Sequence, residues 1–275
     1  MEYPRGVHIV ALAELATSIE AEAAALAQDL GTTAYEERLK LAAGLPAIVL
    51  TSAEAGPAQA LIARLRARRH VVVACDASAV VPSHAMVPLR RFAFEPDALV
   101  ALDLPGSAGA PEARLAYAEI LGIFRASHQT RTETRAEGTS KQFSAGRALL
   151  SGGLVLTKSV TREEKSVSQE REQVCYLFRA GGGTPWLLRE RGTQYAGLGA
   201  ALGPSSAQNF VATMTRLRQL APSALYDERL MNPRNAPSRP IRTGAGSAET
   251  VGVSSVGGVD LVAHLMALWA GGLVE

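Results

Sequence analysis

The stretch that decides the fold of the first part of the chain is residues 7–76, VHIVALAELATSIEAEAAALAQDLGTTAYEERLKLAAGLPAIVLTSAEAGPAQALIARLRARRHVVVACD. Short apolar runs rich in β-branched residues, typical of buried strands, alternate there with longer segments rich in Ala, Leu, Glu and Arg, typical of helices. The predicted strands are Val7–Ala13, Ala47–Thr51 and Val71–Cys75, with an edge strand to follow in residues 86–94, MVPLRRFAF. The predicted order of residues 7–76 is therefore β-α-α-β-α-β.

Hydroxyl residues and glycines mark the ends of the helices between these strands. Thr17 or Ser18 can cap the first helix, which Gly31 can end, and Thr32 or Thr33 can cap the second. Such side chains accept hydrogen bonds from the free N–H groups of the first turn, and glycine adopts the left-handed conformation that ends a helix.

This order of elements resembles the C-terminal domain of the ribosomal stalk protein and the Clp protease adaptor that shares its fold. The resemblance covers about residues 7–76 and rests on a glycine between the paired helices, Gly31, and a proline that opens the second strand, Pro46. It implies a helical face that binds a partner protein, and no enzymatic activity. Residues 35–40, YEERLK, carry mixed charge where the stalk domain offers lysines, so the resemblance implies no ribosomal role.

The rest of the chain predicts a second domain and a tail. Residues 104–113, LPGSAGAPEA, have linker composition and separate a first domain, 1–103, from a second, 114–230. Within the second domain Gln173–Arg179 and Trp186–Arg191 predict a hairpin. The fold class expected for the whole chain is α+β.

A single amphipathic helix is expected to close the second domain. Ser205 can cap it, and Phe210, Met214, Leu217 and Ala221 fall on one stripe. Antiparallel strands finished by one such helix resemble the pleckstrin-homology-like (PH-like) architecture. A compact antiparallel sheet packed on one helix is the alternative.

The tail predicts a flexible linker, 231–257, rich in Pro, Gly, Ser and Arg, followed by a short apolar docking helix, 258–275. So apolar a helix must be covered, either by its own domain or by a groove on a partner. We predict that it docks on a partner protein or a second copy, with Leu265 and Trp269 as anchors. The predicted partner-binding residues are Leu261, Leu265, Leu268 and Trp269.

Basic residues concentrate in residues 124–165, where they could follow phosphates on nucleic acid or an anionic lipid surface. The candidate phosphate-binding residues are Arg131, Arg135, Lys141, Arg147, Lys158 and Arg162. Glutamates interleave with them, which favours an ordinary solvated β-surface. The net charge of the whole chain is only +2.

No motif in the sequence predicts catalysis, a metal site or a cofactor. The histidines are scattered, no Gly-x-Ser-x-Gly elbow is present, and the glycine groups do not lead into a phosphate-binding helix. Cys75 and Cys175 lie in apolar runs and are expected to be free thiols. With no signal sequence and no membrane span in the sequence, a cytoplasmic location is expected.

Three functions follow as hypotheses. The first is a non-enzymatic adaptor or scaffold that binds other proteins. The second is a phosphate-directed binder that uses the basic surface of residues 124–165. The third is an enzyme of unrecognised type, with its site between the domains.

Overall fold

A computed structural model describes residues 6–102, 113–143, 157–234, 236–245 and 248–272. The predicted linker at 104–113 lies outside these ranges except for Ala113, which begins a strand. The chain divides into two compact units, which differ from the predicted domains. The larger unit holds residues 1–128, 172–237 and 256–275, and the smaller unit holds residues 129–171 and 238–255.

The predicted β-α-α-β-α-β order of the N-terminal region is confirmed. Its elements are β1 His8–Glu14, α1 Ile19–Leu30, α2 Ala34–Ala42, β2 Ala47–Ser52, α3 Ala55–Ala67 and β3 Val71–Asp76. The strands form a sheet of order β2-β1-β3, in which β1 is antiparallel to both neighbours. The three helices pack on one face of this sheet, because Leu26, Leu41, Leu61 and Leu65 share a core cluster with Val10 and Leu12 of β1.

The caps of α1 and α2 are the ones that the sequence offers. The side chain of Ser18 accepts a hydrogen bond from the backbone N–H of Ala21, and Gly31 ends α1 in the left-handed conformation. Thr33 and Glu36 form a reciprocal capping box at the start of α2. Ser18 and Thr33, rather than Thr17 and Thr32, therefore set the two helix starts.

The described residues after β3 contain further strands and two more α-helices. Those with residues in the larger unit are β4 Val87–Pro88, β5 Arg91–Phe94, β6 Ala98–Leu102, β7 Ala113–Ala116, β8 Ile120–Phe143, β9 Thr157–Arg179, β10 Trp186–Arg189, α4 Ser206–Leu220, β11 Leu225–Asp227 and α5 Val256–Ala270. Strands β8 and β9 each have residues in both units. Strands β5, β6 and β7 form a small antiparallel sheet. Within the larger unit a second sheet has the order β8-β9-β10-β4, with β11 paired to β8.

The predicted hairpin and closing helix are confirmed. Strands β9 and β10 pair antiparallel, with Leu177 opposite Trp186. Ser205 caps α4, whose Phe210, Met214 and Leu217 pack against one face of the β9–β10 sheet. The antiparallel region is an open sheet packed on a helix, and the PH-like resemblance stays a prediction.

The expectation that 86–94 forms an edge strand of the N-terminal sheet is wrong. Val87–Pro88 pairs in parallel with β10, and Arg91–Phe94 pairs with β6. A proline at the outer edge of the β10 sheet costs no ladder hydrogen bond, so Pro88 is tolerated there.

The C-terminal helix α5 is the centre of the larger unit, which corrects the predicted docking on a partner. Its Leu261 and Leu265 pack with Ile9 and Val73 on the second face of the N-terminal sheet. Its opposite side packs against Phe124, Tyr176 and Phe178 of the second sheet through Val259, Val262 and Met266. A helix that is apolar all round is one that is buried all round, and this one lies between two sheets of its own chain.

Close packing at the start of α5 depends on Gly258. A Cβ atom at this position would lie 1.9 Å from the carbonyl oxygen of Pro237. Residues 231–257 are accordingly not a flexible linker. Their described part includes strands β12 Arg239–Ala245 and β13 Ala248–Ser254, a hairpin in antiparallel register.

The smaller unit is an antiparallel sheet of order β12-β13-β8-β9. Thr134 and Thr250 pair across β8 and β13, with their hydroxyl oxygens 3.0 Å apart. Val167, Val251 and Val253 are exposed. The composition that predicts a linker here, rich in Gly, Ser and Arg, belongs to strands that pair through their backbones.

Candidate functional site

The partner-binding residues predicted on α5 lie in or beside the core. Leu265 is fully buried and Leu261 is buried, so neither is available to a partner protein. Leu268 and Trp269 are partly buried against the same cluster. The indole N–H of Trp269 donates to the Glu14 carboxylate at 2.9 Å, which ties the end of α5 to β1.

The predicted phosphate-binding residues do not converge on a cleft of the larger unit, because those that the structure describes all belong to the smaller unit. Arg131 is exposed on β8, and the backbone register places Val253 opposite it. Arg135 and Lys141 also lie on β8, and Lys158 and Arg162 lie on β9, whereas Arg147 lies outside the described residues.

The backbone register of β13 and β8 sets an acidic residue opposite one of the predicted phosphate-binding residues. Glu249 is the register partner of Arg135. Acidic residues beside basic ones in a sheet reduce its attraction for phosphate, and this register favours the solvated-surface interpretation.

A cleft of about 420 Å³ in the larger unit brings together basic residues that the sequence reasoning did not connect. We call it the arginine cleft. Its described lining combines the cationic Arg90, Arg189 and Arg191, the polar Ser83, His84, Gly192 and Thr193, and the apolar Met86, Pro88, Leu89 and Leu187. Among these lining residues there is no carboxylate.

Backbone pairing between β4 and β10 creates the cleft. The N–H of Leu89 donates to the carbonyl of Leu187 at 2.9 Å, which places Arg90 close to the segment that carries Arg189 and Arg191. The hydroxyl of Thr193 donates to the carbonyls of Leu89 and Arg189. The walls that carry the arginines are therefore held by main-chain geometry.

The arginines of the cleft are unequally neutralised. Arg189 forms an ion pair with Glu172 at 3.3 Å, with about half of its side chain exposed. Within the described residues, Arg90 and Arg191 have no carboxylate within ion-pair distance, and both are exposed. Two guanidinium groups thus line the cleft without an ion pair to any carboxylate of the described residues.

Behind Ser83 lies a buried polar network that fixes the wall of the cleft. Asp260 of α5 accepts hydrogen bonds from the backbone N–H of Ser83 at 2.9 Å, from the Ser83 hydroxyl, and from the Tyr176 hydroxyl at 2.7 Å. The imidazole of His128 lies 2.6 Å from the same Tyr176 oxygen. All four residues are buried.

Burial sets the charge states in this network. Desolvation raises the pKa of Asp260 and of Tyr176 above their ordinary values, and the adjacent carboxylate adds to the effect on the tyrosine. Desolvation lowers the pKa of His128 to about 3, with a smaller contribution from Arg189. His128 is therefore neutral near pH 7.

The donor directions give the network a structural role. Because the Tyr176 hydroxyl donates to Asp260, it accepts from His128, which fixes the proton on Nε2 of that ring. The Ser83 hydroxyl points inward to the carboxylate rather than into the cleft. The network can anchor the segment around Ser83 to β9 and α5, and it offers no activated nucleophile to a ligand.

A second buried polar cluster lies under the helices of the N-terminal sheet. His70 accepts from the N–H of Ala16 at Nδ1 and contacts Glu22 at 2.6 Å through Nε2, while Arg68 pairs with Glu22 and Asp29. Both ring nitrogens of His70 are thus used within the protein. Within the described ranges no group of three or more potential metal ligands is found.

Both cysteines are free thiols, as expected. Cys175 is buried, and Cys75 is half-buried with a pKa raised to about 11 by desolvation and by the neighbouring Asp76. A raised pKa keeps a thiol protonated and unreactive.

With this geometry in place, the chain was compared with known proteins. No family model, no curated protein and no solved structure matches it. The resemblances to the stalk domain, the Clp adaptor and the PH-like architecture therefore stay predictions. In the part of the chain that the structure describes, no helix has both the length and the apolar character needed to cross a membrane.

The sequence predicts the two segments that form the arginine cleft only as strands. The sequence signal for the arginine cleft is the placement of arginines after apolar runs, in LRR at 89–91 and in LRER at 188–191. Nothing in either segment alone shows that they pair. Asp260 lies on the helix that the sequence predicts as an apolar docking segment, and its donors, Ser83 and Tyr176, come from segments far away in sequence.

Proposed function

We propose that this protein is a non-enzymatic adaptor whose arginine cleft binds an acidic segment of a partner protein. The observation that carries the proposal is the convergence of Arg90, Arg189 and Arg191 on a cleft whose described lining has no carboxylate. Guanidinium groups bind carboxylates through paired, charge-assisted hydrogen bonds, and arginine clusters are a common means of recognising acidic motifs.

The mixed lining of the cleft favours a peptide over a nucleic acid. Half-buried Pro88 places apolar surface beside the guanidinium groups, while Met86, Leu89 and Leu187 are buried in the wall of the cleft. A segment that alternates acidic and apolar side chains would satisfy both. A cleft of about 420 Å³ matches a few side chains, whereas a phosphate backbone is followed by an extended track of basic residues.

The rigidity of the cleft supports a binding role. Its walls are joined by the Leu89–Leu187 hydrogen bond and anchored through Ser83 to Asp260. A backbone that is already held in place limits the entropy cost of binding to that of ordering the arginine side chains. We place this activity in the cytoplasm, where the free thiols Cys75 and Cys175 would remain reduced.

The test is selection from a random peptide library displayed on phage, with the full chain immobilised. We expect enrichment of peptides in which Asp or Glu alternates with apolar residues. The variant Arg90→Ala/Arg191→Ala should enrich no acidic motif. A synthetic peptide from the selection should bind this variant at least tenfold more weakly than it binds the wild type, because each charged hydrogen bond is worth ~1.5–3 kcal/mol.

The matched control is Arg66→Ala/Arg242→Ala, which removes the same charge at exposed positions outside the cleft. It should bind the peptide as the wild type does. Equal weakening by both double variants would show that net charge, and not the cleft, is recognised. Tighter binding of a single-stranded oligonucleotide or a phosphopeptide through the same arginines would replace the acidic peptide by a phosphate-bearing ligand.

A further inference from the structure

A second cleft, of about 550 Å³, lies on the side of α5 that faces the turn between β9 and β10. We call it the apolar cleft. Its lining includes Val81, Leu121, Phe178, His264, Ala267 and Leu268. The glycines Gly181–Gly183 of the turn form part of its wall, and their left-handed backbone keeps side chains out of the space.

The polar groups of the apolar cleft are few and mostly satisfied. Arg179 lies at the cleft and forms an ion pair with Glu119 at 2.8 Å, so its charge is already balanced. His264 is different. Among the described residues its imidazole has no hydrogen-bond partner, and its neighbour is the Phe178 ring, with ring centres 6.5 Å apart.

The imidazole of His264 is half-buried, and its nitrogens are available to a ligand that enters the cleft. Burial lowers the pKa of His264, so the ring is neutral at pH 7 and carries one donor and one acceptor nitrogen. A neutral ring offers no charge for a ligand to pair with, so this mostly apolar cleft disfavours a charged ligand, which would lose hydration without gaining an ion pair.

We propose that the apolar cleft binds a small, uncharged, largely apolar molecule whose single hydroxyl group forms a hydrogen bond with His264. The volume lies within the range of ligand pockets, which hold drug-sized molecules in mostly apolar surroundings with a few placed polar groups. Phe178 offers an aromatic edge or face to a planar ligand. This site is separate from the arginine cleft and does not depend on the proposed adaptor function.

The experiment uses the full chain and two probes that differ by one group, 2-naphthol and naphthalene, with binding followed by fluorescence. We expect the wild type to bind 2-naphthol about fivefold more tightly than naphthalene, the value of one net hydrogen bond. His264→Phe keeps a planar aromatic ring of similar size and removes the nitrogens. It should abolish this preference while leaving the affinity for naphthalene unchanged.

Two substitutions fill the cleft from different walls, Leu268→Trp on α5 and Val81→Phe opposite. Each should weaken the binding of 2-naphthol at least tenfold. Thermal unfolding of each variant checks that it is folded. The variant Arg90→Ala/Arg191→Ala should bind 2-naphthol as the wild type does, which separates this site from the arginine cleft.

Equal affinity of the wild type for both probes would remove His264 from ligand recognition and overturn the proposal. Unchanged 2-naphthol binding by both cleft-filling variants, when folded, would show that the compound binds elsewhere. Failure of the wild type to bind either probe would overturn the small-molecule site in favour of an apolar side chain from a partner protein.

Discussion

Asp260 and His264 lie one turn apart on the same apolar helix, and the structure gives them opposite surroundings. Asp260 accepts hydrogen bonds from Ser83 and Tyr176, behind the arginine cleft. His264 is met by apolar groups and borders the apolar cleft. A polar residue on an apolar helix therefore does not by itself indicate a particular role. Whether it is an anchor or an open site depends on which distant segments pack against it.

The contrast between Asp260 and His264 holds only if α5 packs within its own chain. The substitution with the largest expected effect on stability tests this packing. Leu265→Asp places a charge with no partner among Ile9, Val73 and the other side chains of that cluster. We expect it to cost at least ~5 kcal/mol of unfolding free energy, measured by urea denaturation. Val253→Asp, at an exposed strand position, is the control and should cost little. A variant Leu265→Asp as stable as the wild type, but altered in association, would restore the docking of this helix on a partner.

The second largest effect is expected from loss of the hydrogen bonds by which Asp260 anchors the segment around Ser83. Asp260→Ala leaves the Tyr176 hydroxyl and the Ser83 N–H buried without an acceptor. Each such group costs ~1–3 kcal/mol, so we expect a loss of about 3–4 kcal/mol in unfolding free energy. Asp260→Asn, which keeps one acceptor oxygen, should cost less. If Ala and Asn cost the same small amount, the network does not anchor the cleft wall.

The N-terminal sheet and the closing helix could be predicted because each is encoded locally. Val71–Cys75 is a continuous β-branched run, and the stripe from Phe210 to Ala221 has helical spacing, so burial follows directly from pattern. The predicted linker at 231–257 shows the limit. Strand β13 pairs along β8 through backbone bonds and Thr–Ser contacts, which a Gly- and Ser-rich composition does not announce.

The candidate site was less predictable than the fold for a related reason. Arg90 and Arg191 line the same cleft because Val87–Pro88 pairs with Trp186 and Leu187, a contact of two residues between distant segments. So short a parallel pairing leaves no periodicity to read. The apolar character of α5 correctly indicated that it is covered. That its cover is a sheet on each side followed only from the three-dimensional structure.

The pH dependence of the unfolding free energy tests whether His128 is buried in its neutral form. His128 has a pKa of about 3 when folded and an ordinary value of 6.5 when unfolded. Between these values the unfolded chain binds a proton that the folded chain does not, so the unfolding free energy falls as the pH falls. We expect the wild type to lose about 1 kcal/mol more per pH unit than His128→Gln between pH 6 and pH 4.

The raised pKa of Asp260 acts in the opposite direction, because the folded chain takes up that proton first as the pH falls. For this reason the measurement compares slopes between the two proteins rather than the slope of the wild type alone. Parallel slopes would mean that His128 is protonated in the folded state or reaches solvent.

The smallest expected effect belongs to His264. His264→Leu replaces a ring that has no hydrogen-bond partner among the described residues, and it adds apolar contact with Phe178. We expect the unfolding free energy to change by less than about 1 kcal/mol. A loss as large as that of Asp260→Ala would show that the imidazole is bonded within the protein, and the contrast between the two positions would disappear.

The central claim is that the arginine cleft recognises negative charge on a peptide, and a charge swap tests it most directly. The variant Arg90→Glu/Arg191→Glu is titrated by calorimetry with an acidic peptide selected on the wild type, and with the same peptide carrying Lys at each acidic position. The wild type should bind only the acidic form and the variant only the lysine form, each more weakly at higher salt. A variant that still binds the acidic peptide with wild-type affinity would contradict the account.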